Sequence, residues 1–256
     1  MRVSKKRAGS RRRTRKVFRK KAVKTNLAGF GPLVLAFAIF VLINSLMFIV
    51  TSIYPSVVDS LSLAPDRPWG IFTSSFIHAS PEHIFNNMEG FTFASVLFVL
   101  VNLKSSPESR RRSSRFFFGL IFIAGFLADS IEFSVWQLRG LQNVSSLGSS
   151  GMVYAALGVV LASALYNIPK NLAGIRDILT ARKKSDRNIR RLIAPSFAIV
   201  AFLILLFESV GDPETFFSAA PGIDVFAHVL GFFIGYFFTA MISVWWMLTE
   251  HKIRRS

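Results

Sequence analysis

The residues best suited to chemistry in this chain are a serine, two histidines and an asparagine on three different apolar stretches. The serine stands in Gly148-Ser149-Ser150-Gly151, at the start of one such stretch. A serine at a helix N-terminus lies near free N–H groups and the positive dipole end, which favour a developing oxyanion. Taken alone, the motif is equally a Ser/Gly helix cap. The first histidine stands in Ala227-His228-Val229-Leu230-Gly231, followed by Gly235. It lies seven residues past Pro221, so roughly 10 Å or less from that end of its helix. A hydroxyl needs a base to become a nucleophile at neutral pH, and His228 is the candidate for Ser150. Its alternatives are packing and a proton relay.

A second group opens another apolar stretch, His83-Ile84-Phe85-Asn86-Asn87. His83 and Asn87 are four apart and share a helix face. Both can donate hydrogen bonds to an oxyanion, together with the Ser150 N–H. Zinc is the competing use of His83, with His78 nearby. The chain has four histidines, no cysteine and no H-E-x-x-H, so no metal is expected. Tyr154 lies one turn below Ser150 and can stack on His228; an ordinary buried aromatic is the alternative. Asp224, one turn before His228, is either a triad acid or a solvated helix start. Glu89 faces a wet cavity or a basic partner.

These residues need helices crossing a bilayer to hold them. The chain has 256 residues, 52% hydrophobic, with mean hydropathy +0.45 and 27 Phe. Its apolar residues come in runs long enough to span about 30 Å of hydrocarbon. Open strands cannot cross there without unpaired backbone groups. The expected fold is all-α, a polytopic membrane protein of six transmembrane helices. The spans are read as Leu33–Ile53, His83–Val101, Phe116–Trp136, Ser150–Ile168, Leu192–Phe207 and Asp224–Leu248. Asp129 and Glu132 fall near the far end of the third. Gly231 and Gly235 form G-x-x-x-G, and Gly151, Ala155 and Gly158 offer a matching stripe for close helix packing.

Charge sets the orientation. Of 31 Lys and Arg, 29 lie in the first 26 residues, in Lys104–Arg115, in Lys170–Arg191 or after the last span. Only Arg67 and Arg139 lie on the other side. This asymmetry places both termini in the cytoplasm. It also accounts for the net charge of +17 without a nucleic-acid partner. Residues 1–28 are read as a basic cytoplasmic tail held near anionic membrane lipid, with a transit peptide as the alternative. Residues 29–250 form the membrane domain and 251–256 a short tail. Trp69, Trp136, Trp245 and Trp246 fit aromatic belts.

Taken together, the motifs resemble those of rhomboid intramembrane serine proteases, from about Leu33 to Leu248. The G-x-S-G nucleophile motif matches Gly148 to Gly151, with Ser150 in the nucleophile place and Tyr154 four residues on. The A-H-x-x-G-x-x-x-G motif matches Ala227, His228, Gly231 and Gly235. The H-x-x-x-x-H-x-x-x-N motif matches His78, His83 and Asn87, after Trp69 to His78. The Trp-Arg pair of many bacterial members is absent between Tyr54 and Phe76. The resemblance implies a six-span, prokaryotic-type multi-pass protein of the cell membrane. It implies a Ser150–His228 dyad that cleaves in or beside transmembrane segments of other membrane proteins, with no cofactor. A catalytically dead relative that escorts clients, and a transporter with a proton path through Glu89 and His228, are the rival readings.

Overall fold

A computed structural model describes residues 27–103, 105–180 and 225–253 of the chain, with the single positions Ser196 and Val200. The described part is helical. Its long helices are α1 (Gly31–Ile53), α4 (Pro81–Asn102), α5 (Pro107–Arg139), α6 (Ser150–Thr180) and α7 (Val225–Ile253). Two short helices, α2 (Ser56–Leu61) and α3 (Gly70–Thr73), and a 3-10 turn (Ser74–Phe76) fill the first loop. Five helices among the described residues are long and apolar enough to span a membrane. The other expected span, Leu192–Phe207, lies outside the described residues apart from Ser196 and Val200, and Asp224 lies outside them too.

Two helices begin on the same tripeptide, and both begin before the apolar run. Ser80 caps α4, its hydroxyl accepting from the His83 N–H at 3.1 Å. Ser106 caps α5 in the same way, accepting from the Ser109 N–H at 3.2 Å. In each case proline follows at the first helical position, where its missing N–H costs nothing. Glu82 and Glu108 then complement the dipole. The helix that carries the third span therefore starts at Pro107 rather than Phe116, and Arg110 to Arg115 stand on that helix rather than in a loop. Arg110 is buried, with its guanidinium donating to the carbonyls of Ala28 and Leu103. That ties the start of α5 to the segment just before α1.

The core runs between α1, α4, α5 and α6. Phe40 packs on Phe91 at 4.3 Å between ring centroids, and Phe98 on Phe117 at 4.3 Å. Ile121, Met152 and Val160 are fully buried beside them. Other phenylalanines, such as Phe85 and Phe237, are exposed and cover the outside, where lipid would meet them. One tryptophan departs from the belt expectation: Trp136 is buried. Trp246 packs against Arg112.

Candidate active site

Ser150 is the first residue of α6. The segment before it is held by backbone bonds to the first loop. Leu63 and Ser146 exchange both N–H···O bonds at 2.9 and 3.0 Å, and the Gly148 N–H donates to the Ser74 carbonyl at 2.9 Å. Gly148 has φ +113°, a conformation other residues rarely adopt. A Cβ there would stand 2.6 Å from His83 Nε2 and 3.5 Å from Asn87 Nδ2. The two donors expected from the second span thus lie directly against the turn that delivers Ser150. Asn87 is 7% exposed, and its amide nitrogen has no hydrogen-bond partner among the described residues. A buried donor left open costs free energy unless something supplies an acceptor.

On the other side of Ser150, α7 comes into backbone contact with α6. A Cβ on Gly231 would overlap the Gly151 carbonyl oxygen, and one on Gly235 the Ala155 carbonyl oxygen. Gly158 meets the Phe232 carbonyl in the same way. Only glycine permits this approach. Gly151 itself is less constrained, since a Cβ there meets Ala227 at 3.7 and 3.8 Å, ordinary contact. The approach puts the His228 ring flat on Tyr154, with centroids 4.2 Å apart and planes 16° apart. Tyr154 is one turn below Ser150, so the base candidate lies beneath the serine. His228 is 8% exposed.

A different Ser-His contact lies next door. Ser149 Oγ is 3.3 Å from His78 Nε2. Ser149 is 0% and His78 1% exposed, so this pair is sealed from any substrate. Burial, and then the neighbouring His83, hold the His78 pKa down to about 3. His78 is therefore neutral, with its ring edge-on to His83 at 5.0 Å. It anchors Ser149 and backs His83.

One contributor escaped the sequence reading. Asp129 on α5 is buried and accepts hydrogen bonds from Ser75 at 3.0 Å and Ser74 at 3.4 Å. Ser74 in turn holds Gly148. A carboxylate inside a span was the available signal. Glu89 is exposed. The first loop, lacking a Trp-Arg pair, is tied down otherwise. The Trp69 indole donates to the Ser60 carbonyl at 2.8 Å, and Gln137 donates to the Pro65 carbonyl at 2.6 Å.

This arrangement joins a serine at a helix start, a stacked histidine and a pair of side-chain donors at one end of the helix bundle. A family model, the Rhomboid domain, matches residues 65–245. The chain belongs to the rhomboid family. That family is one of intramembrane proteases, and the chain is an integral, multi-pass membrane protein of it. Among curated proteins none matches the chain.

Proposed function

We propose that this rhomboid protein is an active serine endopeptidase that cuts peptide bonds in or beside transmembrane segments of other membrane proteins. The observation that carries the reading is the His228 ring stacked on Tyr154, one turn below Ser150. Stacking fixes the imidazole plane and leaves its nitrogens at the rim, directed along that plane. His228 takes the Ser150 proton, and Ser150 Oγ attacks the scissile carbonyl. The Ser150 N–H, His83 and Asn87 stabilise the tetrahedral oxyanion. His228 protonates the leaving amine, and water then hydrolyses the acyl-enzyme. The open Asn87 amide and the half-exposed Ser150 support these roles. The substrate must unwind locally to expose a peptide bond, so a helix-breaking stretch of small residues suits it. Both termini lie in the cytoplasm, as the Lys and Arg distribution favours.

Cleavage of a single-span substrate in reconstituted membranes tests the reading. Wild type cleaves and Ser150→Ala does not; cleavage by the variant would falsify the assignment. A fluorophosphonate probe separates the two serines. It labels Ser150, and labelling of Ser149 would transfer the role to the sealed pair with His78.

A further inference from the structure

The bundle end farthest from Ser150 carries a feature that proteolysis does not use. A cavity of about 80 Å³ lies there among α4, α5, α6 and α7, several times the room of about 10–15 Å³ that one water needs. Its wall is mixed: Asn102, Ser163, Thr239 and Ser243 line it beside Phe98, Leu120 and Val159. Polar side chains at membrane depth are costly and mark sites more often than packing. Arg112, Ser109 and Phe116 line both the cavity and an open groove over the start of α5, so the two are neighbours. The groove holds Arg111, Arg112 and Arg115 against one acid, Glu108.

The Thr239 hydroxyl points to a ligand. Thr239 is 8% exposed, and its Oγ1 has no hydrogen-bond partner among the described residues. A helical threonine commonly satisfies its hydroxyl on the carbonyl one turn back, and this one does not. Arg112 supplies the charge. Its guanidinium lies 4.2 Å over the Trp246 ring, and Phe116 meets the same ring at 5.2 Å. A stacked guanidinium keeps its N–H groups in its own plane, suited to two phosphate oxygens. Phe116, at the groove, and Trp245, beside Trp246 on α7, are 40% and 60% exposed. A soluble anion would have no use for that apolar surface, whereas acyl chains would cover it.

We infer that this is a binding site for an anionic membrane phospholipid, on the membrane face opposite the catalytic serine. Arg112 pairs with the phosphate, the Thr239 hydroxyl donates to a headgroup oxygen, and the chains run out past Phe116. The full-length protein in neutral detergent provides the test. Native mass spectrometry and thermal shift are recorded with phosphatidylglycerol, phosphatidylcholine and inorganic phosphate. Both lipids carry the phosphate, but the choline cation of phosphatidylcholine is repelled by Arg111, Arg112 and Arg115, so phosphatidylglycerol binds at least about tenfold more tightly. Arg112→Gln weakens it by about tenfold and Thr239→Val by about fivefold. Equal binding of the two lipids would overturn the inference. So would equal stabilisation by inorganic phosphate alone, or unchanged binding in Thr239→Val, which stands as the test if Arg112→Gln does not fold.

Discussion

The same two helices, α6 and α7, build opposite environments at their two ends. Near Ser150 they meet through Gly151, Ala155, Gly158, Gly231 and Gly235, backbone against backbone. At the other end Ser163, Tyr166 and Asn167 face Thr239, Ser243 and Trp246 around a cavity. Side-chain size sets the difference. Small residues let the helices close, which seats His228 on Tyr154 and excludes gaps. Larger polar residues hold them apart and leave room with hydrogen-bonding walls. One helix pair is thus closed at the end that carries Ser150 and His228 and open at the end that carries the cavity.

The largest expected effect separates the two ends outright. Ser150→Ala lowers cleavage by about 10⁴-fold or more while anionic lipid stays bound as in wild type, read by gel assay and native mass spectrometry. Loss of lipid in that variant would mean that the ends are coupled.

Next, Asn87→Ala lowers kcat by about 10²-fold or more, with KM little changed, as removal of an oxyanion donor does. A change confined to KM would move Asn87 from transition-state stabilisation to substrate binding.

Packing is tested by glycines on facing helices. Gly231→Ala forces a methyl onto the Gly151 carbonyl and costs about 2–3 kcal/mol. Gly151→Ala meets only ordinary contacts and costs under about 1 kcal/mol. Equal losses in thermal unfolding would contradict the close approach at the Ser150 end.

The smallest effect is on pH. His78 has its pKa lowered from 6.5 to about 3 in the folded protein. The unfolded chain therefore binds the proton first on acidification. The stability this neutral histidine contributes is complete above about pH 6.5 and is lost as pH falls toward 3. At pH 5 the loss is about 2 kcal/mol. His78→Gln should flatten that part of the unfolding profile, and an unchanged profile would show that His78 is not the titrating group.

The positions of the candidate residues were legible to different degrees. Ser150, Tyr154, His228, His83 and Asn87 could be read because each sits in a short motif on a periodic element. Helical spacing alone put Tyr154 below Ser150 and Asn87 beside His83. The start of α5 was also readable, in Ser106-Pro107-Glu108, but hydropathy pointed to Phe116 because the first turns of α5 are basic. Asp129 was visible as a carboxylate in a span, yet its partners Ser74 and Ser75 are more than fifty residues away, and no local pattern joins them.

What the amino-acid order determined by itself was local. It set which runs are apolar enough to cross lipid, where glycine allows close approach and which polar side chains share a helix face. Tertiary structure decided the rest. It made Ser149 a sealed partner of His78 and left Ser150 half-exposed, although the two are adjacent in a Gly-Ser-Ser-Gly motif. It placed His83 and Asn87 against Gly148, and it left Thr239 facing a cavity. The physical reason is that burial and hydrogen bonding depend on which helices meet and at what distance, and those contacts join residues far apart in the chain.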